Sequence, residues 1–166
     1  REELLEDVAK IYRAFIKQLY DAGCRNLQLD DCSWGVCVDP AAPFVFGVEP
    51  EKMGDIMDQL LKVNNLALEG KPDDLTVATH ICRGNYNSSW ASRGGYEPVA
   101  ERLFAHENVD AYYLEFDDAR SGGFEPLRFV TPGKKVVLGL ITSKRPELED
   151  KDAVIARIHE AAKYAV

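Results

Sequence analysis

The sequence alternates between short apolar runs typical of strands and longer amphipathic runs typical of helices, and this alternation constrains the fold more than any other feature. Strand and helix patterns that follow one another in this way are typical of βαβ units, whose strands lie parallel in one sheet. The sequence therefore predicts an α/β fold with a four-stranded parallel sheet. The predicted strands are residues 27–31, 75–81, 111–115 and 136–141.

Helical periodicity supports the same organisation. In residues 2–21, apolar side chains recur every three or four positions, as they do on one face of a helix, and Gly23 supplies a C-terminal stop. Further helices are predicted over about 50–68, over 98–106 and from about 150. The stretch 83–95 is rich in Gly and Ser and is a predicted functional loop. One domain accounts for residues 1–166.

Composition and charge exclude several classes of function. Hydrophobic residues make up 46% of the 166 residues and charged residues 29%, which is typical of a globular domain. A net charge of -8 argues against nucleic-acid binding, because phosphates are held by clustered Lys and Arg. No apolar run approaches the roughly 20 residues that cross a bilayer, and no signal peptide opens the chain. We expect a cytoplasmic protein that acts on small molecules, with its four cysteines as free thiols.

Polar side chains follow each of the four predicted strands. Active sites of (βα)8 barrels are assembled in this way from successive strand ends. Four strands are too few to close a barrel and enough for half of one, so we predict a partial (βα)8 TIM barrel, although an open doubly wound sheet would show a similar pattern. The strand-end groups are Asp30 and Asp31, His80 and Cys82, Glu115, and Thr142 and Lys144.

Two of these strand ends predict a metal site. Residues i and i+2 of a strand face the same side, so His80 and Cys82 point to one place, and Glu115 adds a carboxylate from the next strand. All three are good zinc ligands, and catalytic zinc keeps one position open for substrate. Because zinc lowers the pKa of a bound thiol below about 8.5, we expect the substrate to be a thiol. The alternative is a hydrogen-bonded His beside a buried thiol.

Other side chains are candidates for contacts with the substrate. Asp30 and Asp31 are predicted to bind a substrate amine or to act as a base, and strand alternation favours Asp30 for the site-facing position. Cys32 and Cys37 are possible ligands but stay unassigned, because they lack a helical or zinc-knuckle spacing partner. Three cations suit a substrate carboxylate, with a solvated or structural role as the alternative: Arg83, Arg120 and Lys144. Three loop aromatics suit the wall of a pocket, with ordinary packing as the alternative: Trp34, Tyr86 and Trp90.

These motifs, in this order, resemble the cobalamin-independent methionine synthase family, in particular its short members built from the C-terminal catalytic barrel. The resemblance runs through nearly all 166 residues. It implies a zinc held by His80, Cys82, Glu115 and a second cysteine beyond the last residue, and it implies that Asp30 holds the amine of homocysteine. The matching segments are Gln28-Leu29-Asp30-Asp31, His80-Ile81-Cys82, Glu115 with Arg120-Ser121, and Leu138 to Lys144.

The chain departs from the family pattern at two places that bear on the reaction. The family usually has Asp-Glu-Pro where this chain has Asp30-Asp31-Cys32, and its folate-contacting acidic residue aligns with Val36. Methylfolate as the methyl donor is therefore left open. The family's Asp-x-His, which includes the proton donor, aligns with Thr142-Ser143-Lys144, so Lys144 is the candidate for that catalytic place.

The strand-end groups thus predict a zinc-dependent enzyme that methylates or alkylates a thiol. The family resemblance implies that this thiol is homocysteine and that the product is methionine. Because the chain starts and stops inside helical patterns without an initiator Met, we expect a fragment holding about four βα units from the second half of the barrel. Such a fragment would be inactive and would self-associate through its open sheet edges. The alternatives are a metal-free α/β domain that binds a small anionic ligand, and a metal-free barrel lyase such as a decarboxylase.

Overall fold

The computed structural model describes residues 2–165. Four strands alternate with helices along this part of the chain, as the sequence predicts. Short 3-10 or π turns join several of these elements. The elements are α1 (Glu2–Asp21), β1 (Asn26–Asp30), α2 (Ser33–Cys37), α3 (Ala42–Phe46), α4 (Met53–Leu68), β2 (Thr76–Ile81), β3 (Ala111–Glu115), β4 (Lys135–Gly139) and α5 (Lys151–Ala161).

The strands form one parallel sheet in the order β1-β2-β3-β4, which confirms the predicted sheet. The order follows the chain without the reversal that defines the switch point of a doubly wound sheet. The register places Asp30 beside His80, and His80 beside Tyr113. Within residues 2–165 the sheet is open, and β1 and β4 are its edge strands. It has the strand order of a barrel segment, whereas a closed barrel stays a prediction.

The two faces of the sheet differ in burial. On the helix side, alternate residues such as Val77, Tyr112 and Leu114 are buried in a core shared with α1, α4 and the turns before β3. The other face is open: Tyr113 is 40% exposed and Val137 41%. The alternation of side chains along each strand therefore sorts the sequence into a packed side and a cleft side.

Local differences from the prediction have local causes. The segment predicted as a helix over 98–106 is a 3-10 turn, Glu97–Val99, followed by a π turn, Glu101–Ala105. Strand β4 ends at Gly139 rather than at 141, because the N–H of Leu140 donates to the carbonyl of Leu138 two residues earlier and not to a neighbouring strand. Helices α2 and α3 were not predicted, since five residues are too few to show a period.

Helix α1 has the predicted extent, but much of its apolar face is not covered. Only Ala9 and Ile16 are buried, while Leu4, Ile11 and Phe15 are more than half exposed. In residues 2–165 no helix combines the length and apolarity needed to cross a membrane.

Candidate functional site

A cleft of about 310 Å³ lies over the open face of the sheet, at the carboxyl ends of β2, β3 and β4. Its lining combines thiol, imidazole, carboxylate and ammonium groups with apolar side chains of the strands. The groups that concern the chemistry are His80, Cys82, Glu115, Asp117, Ser143 and Lys144. The strand ends predicted to carry the site therefore do converge on one cleft, with β1 contributing from beside it.

Cys32, His80 and Cys82 bring their potential ligand atoms within 4.8 Å of one another. The two sulfur atoms lie 3.3 Å apart. Cys32 follows the end of β1 by two residues and Cys82 follows β2 by one, and Asp31 donates its N–H to the carbonyl of His80 to keep the two strand ends together. Cys32 was missed in the sequence, although its i+2 spacing from Asp30 is the spacing that linked His80 to Cys82.

The imidazole of His80 is oriented by a carboxylate. Its Nδ1 lies 2.5 Å from Oδ1 of Asp30, which is the neighbouring residue across the β1–β2 pair. A carboxylate on one ring nitrogen leaves the other nitrogen to bind a metal, an arrangement common in metal sites. The Asp30 side chain is 73% exposed, so its second oxygen remains accessible to solvent.

The two thiols of the cluster differ in acidity. A hydrogen bond from Cys32 is the main cause that lowers the pKa of Cys82 to about 6, and the N–H of Gly84 and the nearby His80 add to it against the effect of burial. The same hydrogen bond, together with burial, raises the pKa of Cys32. Cys82 is therefore the more acidic thiol of the pair.

The donor set of this cluster fits zinc. One imidazole and two sulfur atoms are ligand types that zinc prefers, and Zn–S distances of about 2.3 Å place two tetrahedral sulfur ligands about 3.8 Å apart. The two sulfur atoms lie 3.3 Å apart in the structure, and a small rotation of either side chain would bring them to the separation that zinc requires. Three ligands also leave the fourth position open, as catalytic sites require.

Glu115 reaches the cleft, but cations occupy both of its oxygens. Oε1 accepts a hydrogen bond from Arg120, while Oε2 accepts one from the backbone of Arg83 at 3.1 Å and lies 3.5 Å from Nζ of Lys144. Within residues 2–165, Glu115 is not among the side chains grouped around His80 and Cys82. Its predicted role as a zinc ligand therefore stays a prediction.

Lys144 is held over the cleft by two carboxylates. Besides Glu115, its ammonium lies 3.3 Å from Oδ2 of Asp117, which also accepts a hydrogen bond from Thr142 at 2.7 Å. Burial acts to raise the pKa of Asp117, but the hydrogen bond from Thr142 and the charges of Lys144 and Arg120 outweigh it and lower that pKa. Asp117 was missed in the sequence; it stands two residues after Glu115, as Cys82 does after His80.

Two of the polar residues considered in the sequence, Asp31 and Arg83, lie away from the cleft. Asp31 faces the helices and accepts hydrogen bonds from Asn64 and from the backbone of Ser33. Arg83 is only 1% exposed and donates to the carbonyls of Glu115 and Gly94, so it is a structural cation and not a group that binds a substrate carboxylate. The physical reason is alternation, since odd positions in this strand end face the core.

The aromatic residues of the loops are divided in the same way. Trp34 is completely buried in the core, so it is a packing residue and not part of a pocket wall. Tyr86 and Trp90 are exposed on the 83–95 loop, and the guanidinium of Arg120 lies 4.6 Å from the centre of the Trp90 ring. The same Arg120 pairs with Glu115, Asp117 and Asp118 and is not free to hold a substrate carboxylate. All four cysteines are free, as predicted.

Comparison with known proteins finds similarity to larger chains. No family model matches this sequence. Two uncharacterized proteins of Bacillus subtilis (strain 168) are similar: YxjH is 48% identical over 168 residues, 99% of this chain and 44% of its own length. YxjG is 46% identical over 162 residues, 95% of this chain and 42% of its own.

A solved structure has the same fold over nearly the whole chain. It is the crystal structure of the "Putative Vitamin-B12 Independent Methionine Synthase" from Listeria monocytogenes, with a TM-score of 0.75 and 38% sequence identity over 98% of this chain and 45% of that one. The chain therefore spans less than half the length of the relatives it matches. Its similarity is to one part of a protein named as a methionine synthase that does not use vitamin B12.

Proposed function

We propose that this chain is part of a zinc-dependent methyltransferase of the cobalamin-independent methionine synthase family, which transfers a methyl or related alkyl group to a thiol, homocysteine first of all, to form methionine. The observation that carries the proposal is the cluster of Cys32, His80 and Cys82 at the strand ends, with one thiol already acidic. The likeness to the Listeria protein supports the same reaction class. Zinc, when bound, supplies the charge that keeps a substrate thiol ionised at neutral pH.

His80 and Cys82 hold the ion in this proposal, because the sequence pattern and the geometry both support them. The third ligand has two candidates: the family resemblance implies Glu115, whereas the geometry supports Cys32. Glu115 would have to release Arg120 and Lys144 to bind a metal, and Cys32 already faces Cys82 at 3.3 Å. Single substitutions at Cys32 and Glu115 separate these two roles.

The remaining polar groups of the cleft bind the substrate and move a proton. Asp30 orients His80 and offers its exposed carboxylate oxygen to the amine of the substrate. Asp31 faces away, so Asp30 takes the substrate-binding role predicted for the pair. Lys144, which stands at the family's proton-donor place, donates a proton from Nζ to the leaving group of the methyl donor. Glu115 and Asp117 hold that ammonium in the cleft.

The chain is half of the (βα)8 barrel in this proposal, and the rest of the protein covers its open face and edges. The strand order without reversal supports it, as do the exposed Tyr113 and Val137 of the open face. The first helix, α1, has an apolar stripe formed by Leu4, Ile11 and Phe15, and this stripe is exposed to solvent. The relatives are more than twice as long as the chain, which leaves enough residues for the other half. The isolated chain is expected to self-associate through β1 and β4.

The experiment that tests this function measures the zinc content and the methyl-transfer activity of the full-length protein. Elemental analysis is expected to find about one zinc per chain, as a mononuclear site requires. Homocysteine should be methylated when methylfolate or a simpler methyl donor is added in turn. A full-length protein without zinc would overturn the proposal and leave a metal-free binding domain or lyase as the function.

A further inference from the structure

A hydrogen-bonded chain of three polar side chains lies on the helix side of the sheet, directly behind the thiol cluster. Nδ2 of Asn64, on α4, donates to Oδ2 of Asp31 at 2.7 Å and to Oε1 of Glu107 at 2.7 Å. Asp31 follows the last residue of β1, and Glu107 lies in the turn before β3. Nothing in the proposed reaction uses Asn64 or Glu107.

The burial of Glu107 gives this group of three hydrogen-bonded side chains an unfavourable free-energy term. Its side chain is 0% exposed, and its Oε2 has no hydrogen-bond partner among residues 2–165. Burying a carboxyl group without full pairing costs free energy, and apolar residues would fill the same space at no such cost. The presence of Glu107 at this buried position is explained if it helps to fix the conformation of the chain at the end of β1.

We propose that Asn64 and Glu107 are positioning residues, which act through Asp31 to hold Asp30 against the imidazole of His80. Asp30 and Asp31 are adjacent and point to opposite sides of the sheet, so anchoring Asp31 on the helix side sets the direction of Asp30 on the cleft side. The inference rests on the proposed function only in stating what His80 is held for, which is to present Nε2 to zinc.

Two further contacts show how the anchor reaches the cluster. Oδ1 of Asp31 accepts the N–H of Ser33, the first residue of α2, so both oxygens of Asp31 are engaged. The backbone between these bonds carries Cys32, whose sulfur faces Cys82. Loss of the Asn64 amide frees one oxygen of Asp31 and allows the strand end to rotate. The bond between Asp30 and His80 then loses its fixed geometry.

Asn65 offers a matched control on the same helix. Its side chain holds the same turn, donating to the carbonyl of His106 at 2.9 Å and accepting from the N–H of Asn108 at 2.8 Å. No hydrogen bond of Asn65 reaches Asp31 in the described part of the chain. Replacing Asn65 therefore weakens the contact between α4 and the turn without touching the strand end.

The test is the tautomer of His80 in the full-length protein after a chelator has removed any zinc, read from histidine ring nitrogens by NMR in protein labelled with 15N-histidine. Zinc on Nε2 would by itself hold the ring proton on Nδ1 and mask any effect of Asn64. Spectra are taken above the usual histidine pKa of about 6.5. The signals of His80 are identified by their loss in His80→Gln. In the wild type, the ring proton is expected on Nδ1, where Asp30 accepts it. In Asn64→Leu, the signals should shift toward a mixture of tautomers, whereas Asn65→Leu should leave them unchanged.

Metal affinity is the second measurement. Loss of a residue that hydrogen-bonds a metal ligand typically lowers metal affinity by about 10–100-fold. Asn64 acts on His80 only through Asp31 and Asp30, so Asn64→Leu should lower zinc affinity by less than about 10-fold, and Asn65→Leu should not change it. If Asn64→Leu fails to fold, Asn64→Ala removes the same amide with a better helix former. Equal effects of the Asn64 and Asn65 variants on His80, or no effect of either Asn64 variant, would overturn the inference. If the wild type binds no zinc, the proposed function fails, and the tautomer comparison still decides the positioning role.

Discussion

The two sides of the sheet perform different tasks with alternate residues of the same strands. On the helix side, Tyr112 is fully buried and its hydroxyl donates to the carbonyl of Leu103, whereas the next residue, Tyr113, is 40% exposed over the cleft. His80 and Cys82 belong to the cleft side and Ile81, between them, to the core. Packing and chemistry therefore alternate from one residue to the next along a strand, so substitutions of neighbouring residues should have different effects.

The largest expected effect is loss of the metal from the cleft side. Cys82→Ser in the full-length protein removes the acidic thiol and should reduce zinc from about one per chain to near zero, with methyl transfer lost as well. Elemental analysis and a homocysteine methylation assay measure both. Cys24→Ser is the matched control, because among residues 2–165 the Cys24 thiol donates to the carbonyl of Asn26, away from the cleft. Full zinc content in Cys82→Ser would show that the cluster is not the metal site.

Substitutions of Tyr112 and Tyr113 should show how much each face of the sheet contributes to the free energy of unfolding. Tyr112→Ala empties a fully buried position and should lower the free energy of unfolding by about 3–5 kcal/mol. Tyr113→Ala in the same chain should cost less than about 1 kcal/mol, since its side chain is already partly in water. Denaturant unfolding of residues 1–166 measures both values. Similar costs for the two variants would mean that the open face is covered, by self-association for example.

The helix side also predicts a dependence of stability on pH. Burial raises the pKa of Glu107 from 4.5 to about 7, against the hydrogen bond from Asn64. Between these values the unfolded chain releases a proton that the folded chain keeps, so stability falls as pH rises from about 4.5 to 7 and then levels. The whole change is about 3 kcal/mol.

Glu107→Gln isolates this contribution, because the amide keeps an acceptor for Asn64 and cannot ionise. The variant should match the wild type near pH 4.5 and be more stable than it near pH 7, in denaturant titrations at several pH values. A constant difference between the two proteins at all pH values would contradict the raised pKa.

The smallest effects should separate the candidates for the third ligand. If Cys32 binds the metal, Cys32→Ser lowers the affinity for zinc by more than about 10-fold, while Glu115→Gln changes it by less than that. If Glu115 binds the metal, the order is reversed. Competition with a chelator of known affinity measures both variants in the full-length protein. Equal and negligible effects would leave His80 and Cys82 without a third ligand in this part of the chain.

Much of the fold and part of the site were predictable because their signals are local. The period of apolar residues predicted α1, α4 and all four strands, and i+2 spacing at a strand end put His80 and Cys82 on one side. The same spacing relates Cys32 to Asp30 and Asp117 to Glu115, so the sequence also carries the signal for these two residues. The short helices α2 and α3 carry too few residues for such a signal.

The sequence alone determines which side chains each strand end directs to the cleft, because side chains alternate along a strand whatever its neighbours are. Which groups meet was decided only by the tertiary structure. Cys32 touches Cys82 across 50 residues of sequence, and the pKa values of both thiols follow from that contact. Glu115 is paired with Arg120 and Lys144 for the same reason. Strand register and the reach of long cationic side chains determine these partners, and neither is visible in the spacing of residues along the chain.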